Sequence, residues 1–314
     1  MDDLAYPWRA LARLKRFESA PPGRAGSRLM HPATGIAPLD SHQHFWQVHR
    51  GDYGWLTPAL AKLYRDFEPP HLQPLLQDCG VRQTVLVQAA PTVEETRFLL
   101  DLAHQHAFIG GVVGWVDLDD AKVQALEELA ADSKLVGIRP MLQDIEDPEW
   151  MLRRSLAPAL QAIAQRKLTF DALVRPVHLP MLLRFCERYP ELKIVIDHGA
   201  KPNIAAREFD LWSTGIAQIA KHTACYCKLS GLVTEARSTD QEVLQPYVDH
   251  LFECFGTERL LWGSDWPVCE TICSYQEWFR LSLALTSRLA LEERKAVFGG
   301  NARAAYALSE TAHA

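Results

Sequence analysis

The chain has 314 residues, 48% of them hydrophobic and 23% charged, an ordinary balance for a globular protein with room for one large domain or two smaller ones. A formal net charge of -6 offers no basic face to the phosphates of a nucleic acid, so that class of partner is set aside. Seven cysteines without regular spacing make no disulfide framework, no apolar run approaches the ~20 residues of a membrane span, and nothing near Met1 resembles a secretory leader. A cytoplasmic protein without a membrane span is the expectation.

Residues 1–35 read as an N-terminal helical arm. In LAYPWRALARLKRF, Leu4, Trp8, Leu11 and Leu14 recur at helical intervals with Arg9, Arg13, Lys15 and Arg16 between them, and PPGRAGSR then breaks the pattern. A basic amphipathic helix on a tether binds a membrane surface or a partner, or it packs on its own domain or a neighbouring subunit, so a homo-oligomer is compatible with it.

From residue 36 to 314 the pattern is regular. Eight runs rich in Val, Ile and Leu follow one another: IAPLDSHQHF, QTVLVQAA, IGGVVGWVD, LVGIRP, LTFDALV, KIVIDHGA, CYCKLSG and RLLWGSDWP. Helix-patterned stretches such as EETRFLLDLAHQH, LAPALQAIAQR and VLQPYVDHLFECF separate them. Strand then helix, eight times over about 270 residues, predicts an α/β fold of the (β/α)8 TIM-barrel type in a single domain, with a doubly wound open sheet as the alternative. Residues 47–80, after the first run, read as a long insertion over the barrel mouth. Cys225 and Cys227 fall on one face of the seventh run, as packing residues or as a soft metal pair.

Barrel enzymes carry their chemistry at the C-terminal ends of the strands. The polar residues of this chain gather there: His42 and His44, Arg139, Asp197 and His198 with Lys201 beyond, Lys228 and Ser230, Ser264 and Asp265. The tripeptide HQH occurs twice and supplies its own control. Residues two apart on a strand point the same way, so His42 and His44 can meet one metal ion or one substrate. Residues two apart on a helix diverge by about 200°, so His104 and His106 in the EETRFLLDLAHQH segment cannot. Two neutral imidazoles suit a zinc-like ion but need a carboxylate or a further histidine to complete a site.

In combination, LDSHQHFW, VGWVDL, GIRP, IDHGAKP, CKLSGLVTEA and LLWGSDWPV resemble the motifs of the amidohydrolase superfamily. The resemblance is to the amidohydrolase 2 type of TIM-barrel hydrolases and, within it, the L-fuconolactonase-like branch of sugar-lactone and aromatic-lactone hydrolases. It runs in order from about Asp40 to the end of the chain and leaves the arm uncovered. It implies that His42 and His44 are the strand-one pair, His198 the strand-six histidine, and Asp265 the strand-eight aspartate that handles the hydrolytic water. Decarboxylases on similar barrels carry a histidine before proline at the end of strand five, where LVRP here offers Arg175; a guanidinium ligates no metal but holds a carboxylate or a polyol oxygen. His178, beyond that proline, reads as a loop histidine. One divalent ion, by preference zinc, or none is therefore expected.

Opening a lactone needs a base for water and positive charge or hydrogen bonds at the carbonyl oxygen. Asp265 is the expected base, with His198 as a catalytic partner; His42, His44 and Asp265 are the expected metal group. Arg139, Arg175, Lys201 and Lys228 are expected to orient the substrate, with Trp115, Trp46 and Trp266 as an apolar wall. The function read from these residues is a hydrolase opening a small-molecule lactone, most specifically a sugar lactone. The alternatives are a metal-dependent decarboxylase on the same barrel and a non-catalytic sugar-acid binding protein.

Overall fold

A parallel strand covered on both faces keeps no polar side, and the eight apolar runs behave accordingly. In the computed structural model, which describes residues 35–119 and 123–309, they form β1 (Leu39–Gln43), β2 (Gln83–Val87), β3 (Ile109–Gly114), β4 (Leu135–Ile138), β5 (Thr169–Ala172), β6 (Lys193–Ile196), β7 (Tyr226–Leu229) and β8 (Leu260–Trp262). Each pairs in parallel with the next, in the order of the chain. The circle closes through backbone bonds just past the last strand: Asp265 N–H donates to the His42 carbonyl at 2.8 Å and His44 N–H to the Trp266 carbonyl at 2.7 Å. This is the (β/α)8 barrel read from the sequence. The expected arm lies outside the described residues, apart from residue 35.

The helices pack one apolar stripe each against the strands. Val93–Gln105 starts at Thr92, whose Oγ1 accepts from the Glu95 N–H at 3.1 Å, and it buries Leu99, Leu100 and Ala103. His104 sits exposed on this helix against Asp132 at 2.8 Å, and His106 caps its end. The segment 47–80 is not loop throughout. Its last third is the helix Pro69–Cys79, which opens on two prolines whose missing N–H groups cost nothing in a first turn and buries Leu72, Leu76 and Cys79.

The N-terminal end of the barrel is plugged from below. Leu39, Val85, Val87, Val113, Val195 and Leu261 point inward from the strands and pack on Ala302, Ala305 and Tyr306 of the helix Asn301–Tyr306. Cys225 and Cys227 are both buried in the core, with Cys225 Sγ 3.4 Å from Cys186 Sγ, and all seven cysteines are free. Among the described residues no helix is long and apolar enough to cross a membrane.

Candidate active site

The seam between β8 and β1 builds the site. Asp40, buried in β1, accepts from the Ser264 N–H at 2.8 Å, and Tyr275 Oη donates to its other oxygen at 3.1 Å. Gly263 lets the two backbones approach: a Cβ there would lie 2.9 Å from His42 Cβ. The result is that His42, on β1, and Asp265, just past β8, face each other. His42 Nε2 lies 3.2 Å from His44 Nε2, and Asp265 Oδ1 lies 3.8 Å from the first and 3.4 Å from the second. His198, beyond β6, brings its Nε2 to 3.8 Å from the same oxygen and is anchored through Nδ1 to Ser230 Oγ at 2.8 Å. Gly231, with φ of 69°, gives that ring room, since a Cβ there would lie 2.8 Å from it.

Below this group lies a layer of buried charge. Lys228 Nζ contacts Asp171 Oδ2 at 2.6 Å, Asp197 Oδ1 at 2.8 Å and His42 Nδ1 at 3.0 Å. Arg139 Nη1 donates to Asp197 Oδ2 at 3.1 Å, and Tyr306 Oη donates to Asp171 Oδ2 at 2.7 Å. A buried ion is tolerated when paired and hydrogen-bonded, and these ions share partners in that way. Burial opposes ionisation of Asp197, but Lys228, His42 and Arg139 outweigh it and hold the carboxyl well below the usual range. Burial raises Asp171 to about 6 in spite of Lys228.

A cavity opens above the charges. Its polar wall is His44, Arg139, His198, Lys201, Asp265 and Gln143, and its apolar wall Trp55, Ala89, Met141, Leu173 and Val268. Each of these residues follows the end of a strand or lies in the segment after β1, as a barrel places them. Three ionisable ones, His198 (φ 53°), Lys201 (φ 50°) and Asp265 (φ 56°), hold left-handed backbone, a strain of about 1–3 kcal/mol each that clusters at working sites.

The residues singled out by sequence divide. His44, Arg139, His198, Lys201 and Asp265 line the cavity, and His42 is buried against them. Lys228 does not line it; fully buried, it faces carboxylates in the barrel interior. Arg175 is half-buried, 4.0 Å from Asp144, and His178 accepts from the Arg175 N–H at 3.0 Å, so neither lines the cavity. Trp115, whose backbone N–H donates to the Thr96 hydroxyl and whose carbonyl accepts from it, is also outside the lining. Trp46 and Trp266 are buried behind the wall, with Trp46 edge-on to Trp55 at 5.3 Å, and Trp55 is the ring that reaches the cavity. Asp171 is marked in the sequence only as a lone carboxylate inside the apolar run LTFDALV; Trp55, Met141, Leu173 and Gln143 sit on connections and carry no such mark.

The electrostatics prepare the group for cation or water chemistry. Burial pushes the His198 imidazole down to about 4 against the pull of Asp265, and burial together with Lys228 puts His42 well below its ordinary value, so both rings are neutral near pH 7. Burial would raise Asp265, yet His198, His44 and Lys201 hold it below the usual carboxylate range. Among the described residues two sets of donor atoms lie close enough to hold a metal ion, His42, His44 and Asp265 in one and His42, Asp197 and His198 in the other. The first fits a divalent ion. His44 Nδ1 donates to the Val87 carbonyl at 2.7 Å and so leaves Nε2 as a lone pair, while His42 Nδ1 faces both the Lys228 ammonium at 3.0 Å and Asp197 Oδ1 at 3.3 Å. In the second set Asp197 is already neutralised by an ammonium and a guanidinium.

Comparison with known proteins agrees with this construction. The amidohydrolase family pattern matches residues 39–308. The chain is 47% identical over 270 residues to an L-fucono-1,5-lactonase of Burkholderia ambifaria, an alignment covering 84% of this chain and 93% of that protein. It is 37% identical over 298 residues to an L-fucono-1,5-lactonase of Burkholderia multivorans, covering 89% and 99%. A crystal structure of an amidohydrolase from Burkholderia multivorans with bound zinc superposes with a TM-score of 0.81 at 36% identity, covering 87% of this chain and 100% of that one. With the barrel, the histidine pair and the strand-eight aspartate in place and the family pattern spanning them, the chain belongs to the amidohydrolase family.

Proposed function

We propose that this protein hydrolyses a sugar lactone, opening the ring by attack of water on the ester carbonyl. The observation that carries the reading is the arrangement of Asp265, an ionised carboxylate at a cavity wall, opposite neutral imidazoles and beside the cations Arg139 and Lys201. Relatives named as L-fucono-1,5-lactonases support the choice of a lactone over other esters and amides.

Asp265 turns Oδ1 toward the three imidazoles, which leaves Oδ2 to take a proton from the attacking water. The new C–O bond forms as the carbonyl becomes tetrahedral, the ring C–O bond then breaks, and the proton passes from Asp265 to the departing alkoxide. His198, fixed by Ser230, holds the carboxylate in place, while Arg139 and Lys201 hold ring oxygens. One divalent ion bound by His42, His44 and Asp265, which we take to be zinc, would supply Lewis acidity toward the carbonyl oxygen. Unbridged cysteines suit a reducing, cytoplasmic setting.

A panel of five- and six-membered aldonolactones assayed by acid release, with metal content measured on the same preparation, tests the proposal. Acid release above the spontaneous rate is expected; none with any lactone overturns it.

A further inference from the structure

The chain after β1 makes a closed excursion before its helix begins. Trp46 and Phe67 pair backbone to backbone at 2.9 Å in both directions, the Val48 N–H donates to Asp66 Oδ1 at 2.7 Å, and Gln47 Nε2 donates to Glu68 Oε1 at 2.6 Å. Those bonds fix the base of the excursion. Its far side carries Trp55, the only tryptophan that lines the cavity among the described residues. Tyr53 and Leu56 are buried beside it, while Trp55 itself stays partly exposed.

Polar bonds decide where that ring stands. Trp55 Nε1 donates to the Ala89 carbonyl at 2.7 Å, and the N–H groups of Ala89 and Ala90 are held in turn by the Glu95 carboxylate. Three residues before the indole, Asp52 Oδ2 accepts from Arg50 Nη2 at 2.7 Å and from Thr92 Oγ1 at 3.3 Å. Thr92 caps the helix Val93–Gln105, and the Arg50 guanidinium lies 4.6 Å over the Phe98 ring of the same helix. One carboxylate oxygen thus straps the excursion to the first two turns of that helix. The side chains of Arg50 and Asp52 are only 19% and 14% exposed, so water and salt screen the pair less than one on open surface. A sugar lactone whose oxygens meet Arg139 and Lys201 turns C–H surface to the apolar side of the cavity, and a rigid indole covers such surface at little cost in entropy.

We propose that Asp52 is a positioning residue: by strapping the excursion to the helix cap it holds the Trp55 indole as the wall on which the C–H face of the lactone ring packs. The inference rests on the lactone reading above and goes beyond it by naming the substrate-contacting ring and the group that fixes it. No residue of the metal group and no base takes part.

The test is a double-variant cycle of Asp52→Ala and Trp55→Leu, assayed on the aldonolactone that the panel shows to be opened fastest. Trp55→Leu should raise KM about tenfold with kcat within about twofold, and Asp52→Ala should raise KM about fivefold, metal content being unchanged in both. Added to Trp55→Leu, Asp52→Ala should change KM by less than about twofold, because its effect passes through the ring already removed. Asp52→Asn keeps an acceptor for Thr92 and should recover most of the loss. Tryptophan emission gives a readout that needs no turnover. The chain has nine tryptophans, and subtracting the spectrum of Trp55→Leu isolates the contribution of Trp55. That contribution should shift to the red and be quenched more by acrylamide in Asp52→Ala. Wild-type KM in Trp55→Leu overturns the proposal, and so does an equal loss from Asp52→Ala with and without the indole, which would mark a general loss of structure. Unchanged Trp55 emission in Asp52→Ala overturns it as well, whatever the kinetics. A panel with no opened lactone removes the underlying reading instead, and the emission measurement still decides the strap.

Discussion

Asp265 and His42 are joined by the backbone bond that closes the barrel, from the N–H of one to the carbonyl of the other at 2.8 Å. The carboxylate and the first imidazole are therefore held by the scaffold itself rather than by a flexible loop, and their separation depends on how closely β8 approaches β1. Gly263 sets that approach. Gly263→Ala would place a methyl 2.9 Å from His42 Cβ, so the variant should fold with reduced stability, lose at least about tenfold in kcat/KM, and bind a divalent ion more weakly in a calorimetric titration. Wild-type kinetics and metal affinity in this variant would show that the seam has slack.

Asp265→Asn keeps the shape of the side chain and removes the basic oxygen. As general base catalysis is worth ~10²-fold to 10⁴-fold, kcat should fall by that order and KM should change little. Metal content measured in the same sample separates loss of the base from loss of a ligand. Near wild-type turnover would move the base elsewhere, with His198 the next residue to replace.

The two HQH copies give a paired experiment. His104→Gln with His106→Gln touches an exposed surface pair and a helix cap, so activity and metal content should stay within about twofold of wild type. His42→Gln with His44→Gln removes two buried donors 3.2 Å apart and should abolish metal binding and turnover. Equal effects from the two double variants would contradict the site.

Glu95, behind the Ala89 wall of the cavity, predicts a pH dependence of stability. Its buried carboxylate accepts from the N–H groups of Ala89, at 3.0 Å, and Ala90, at 2.7 Å, and burial pushes it up to about 8 from an ordinary value of 4.5 against those bonds. The native state therefore keeps a proton that the unfolded chain releases. Its contribution to stability should be full below pH ~4.5, decline as pH rises toward ~8, and level off above. At ~1.4 kcal/mol per unit the decline is on the order of 5 kcal/mol. Glu95→Gln holds no such proton, so relative to wild type it should gain stability between pH 5 and pH 8 in urea unfolding; a constant difference across that range would rule out the raised carboxyl.

Much of this protein was legible in its residues, for reasons that are local. A strand buried on both faces must be a run of Val, Ile and Leu, so the eight strands showed themselves, and a period of two let the strand-one histidines be told from the helical copy. Pro69 and Pro70 hid the helix Pro69–Cys79 because proline reads as a breaker although it suits a first turn. Depth inside the barrel left no mark on the sequence: Lys228 and Arg139 both end apolar runs, yet one is sealed against Asp171 and Asp197 while the other reaches the cavity. Trp55, Gln143, Leu173 and Val268 come from different connections and share no periodicity, so only the closed barrel brings them to one wall. Ser264 and Asp40 meet across 224 residues of chain, and a bond of that span is decided by closure of the sheet, since no local propensity acts over such a distance.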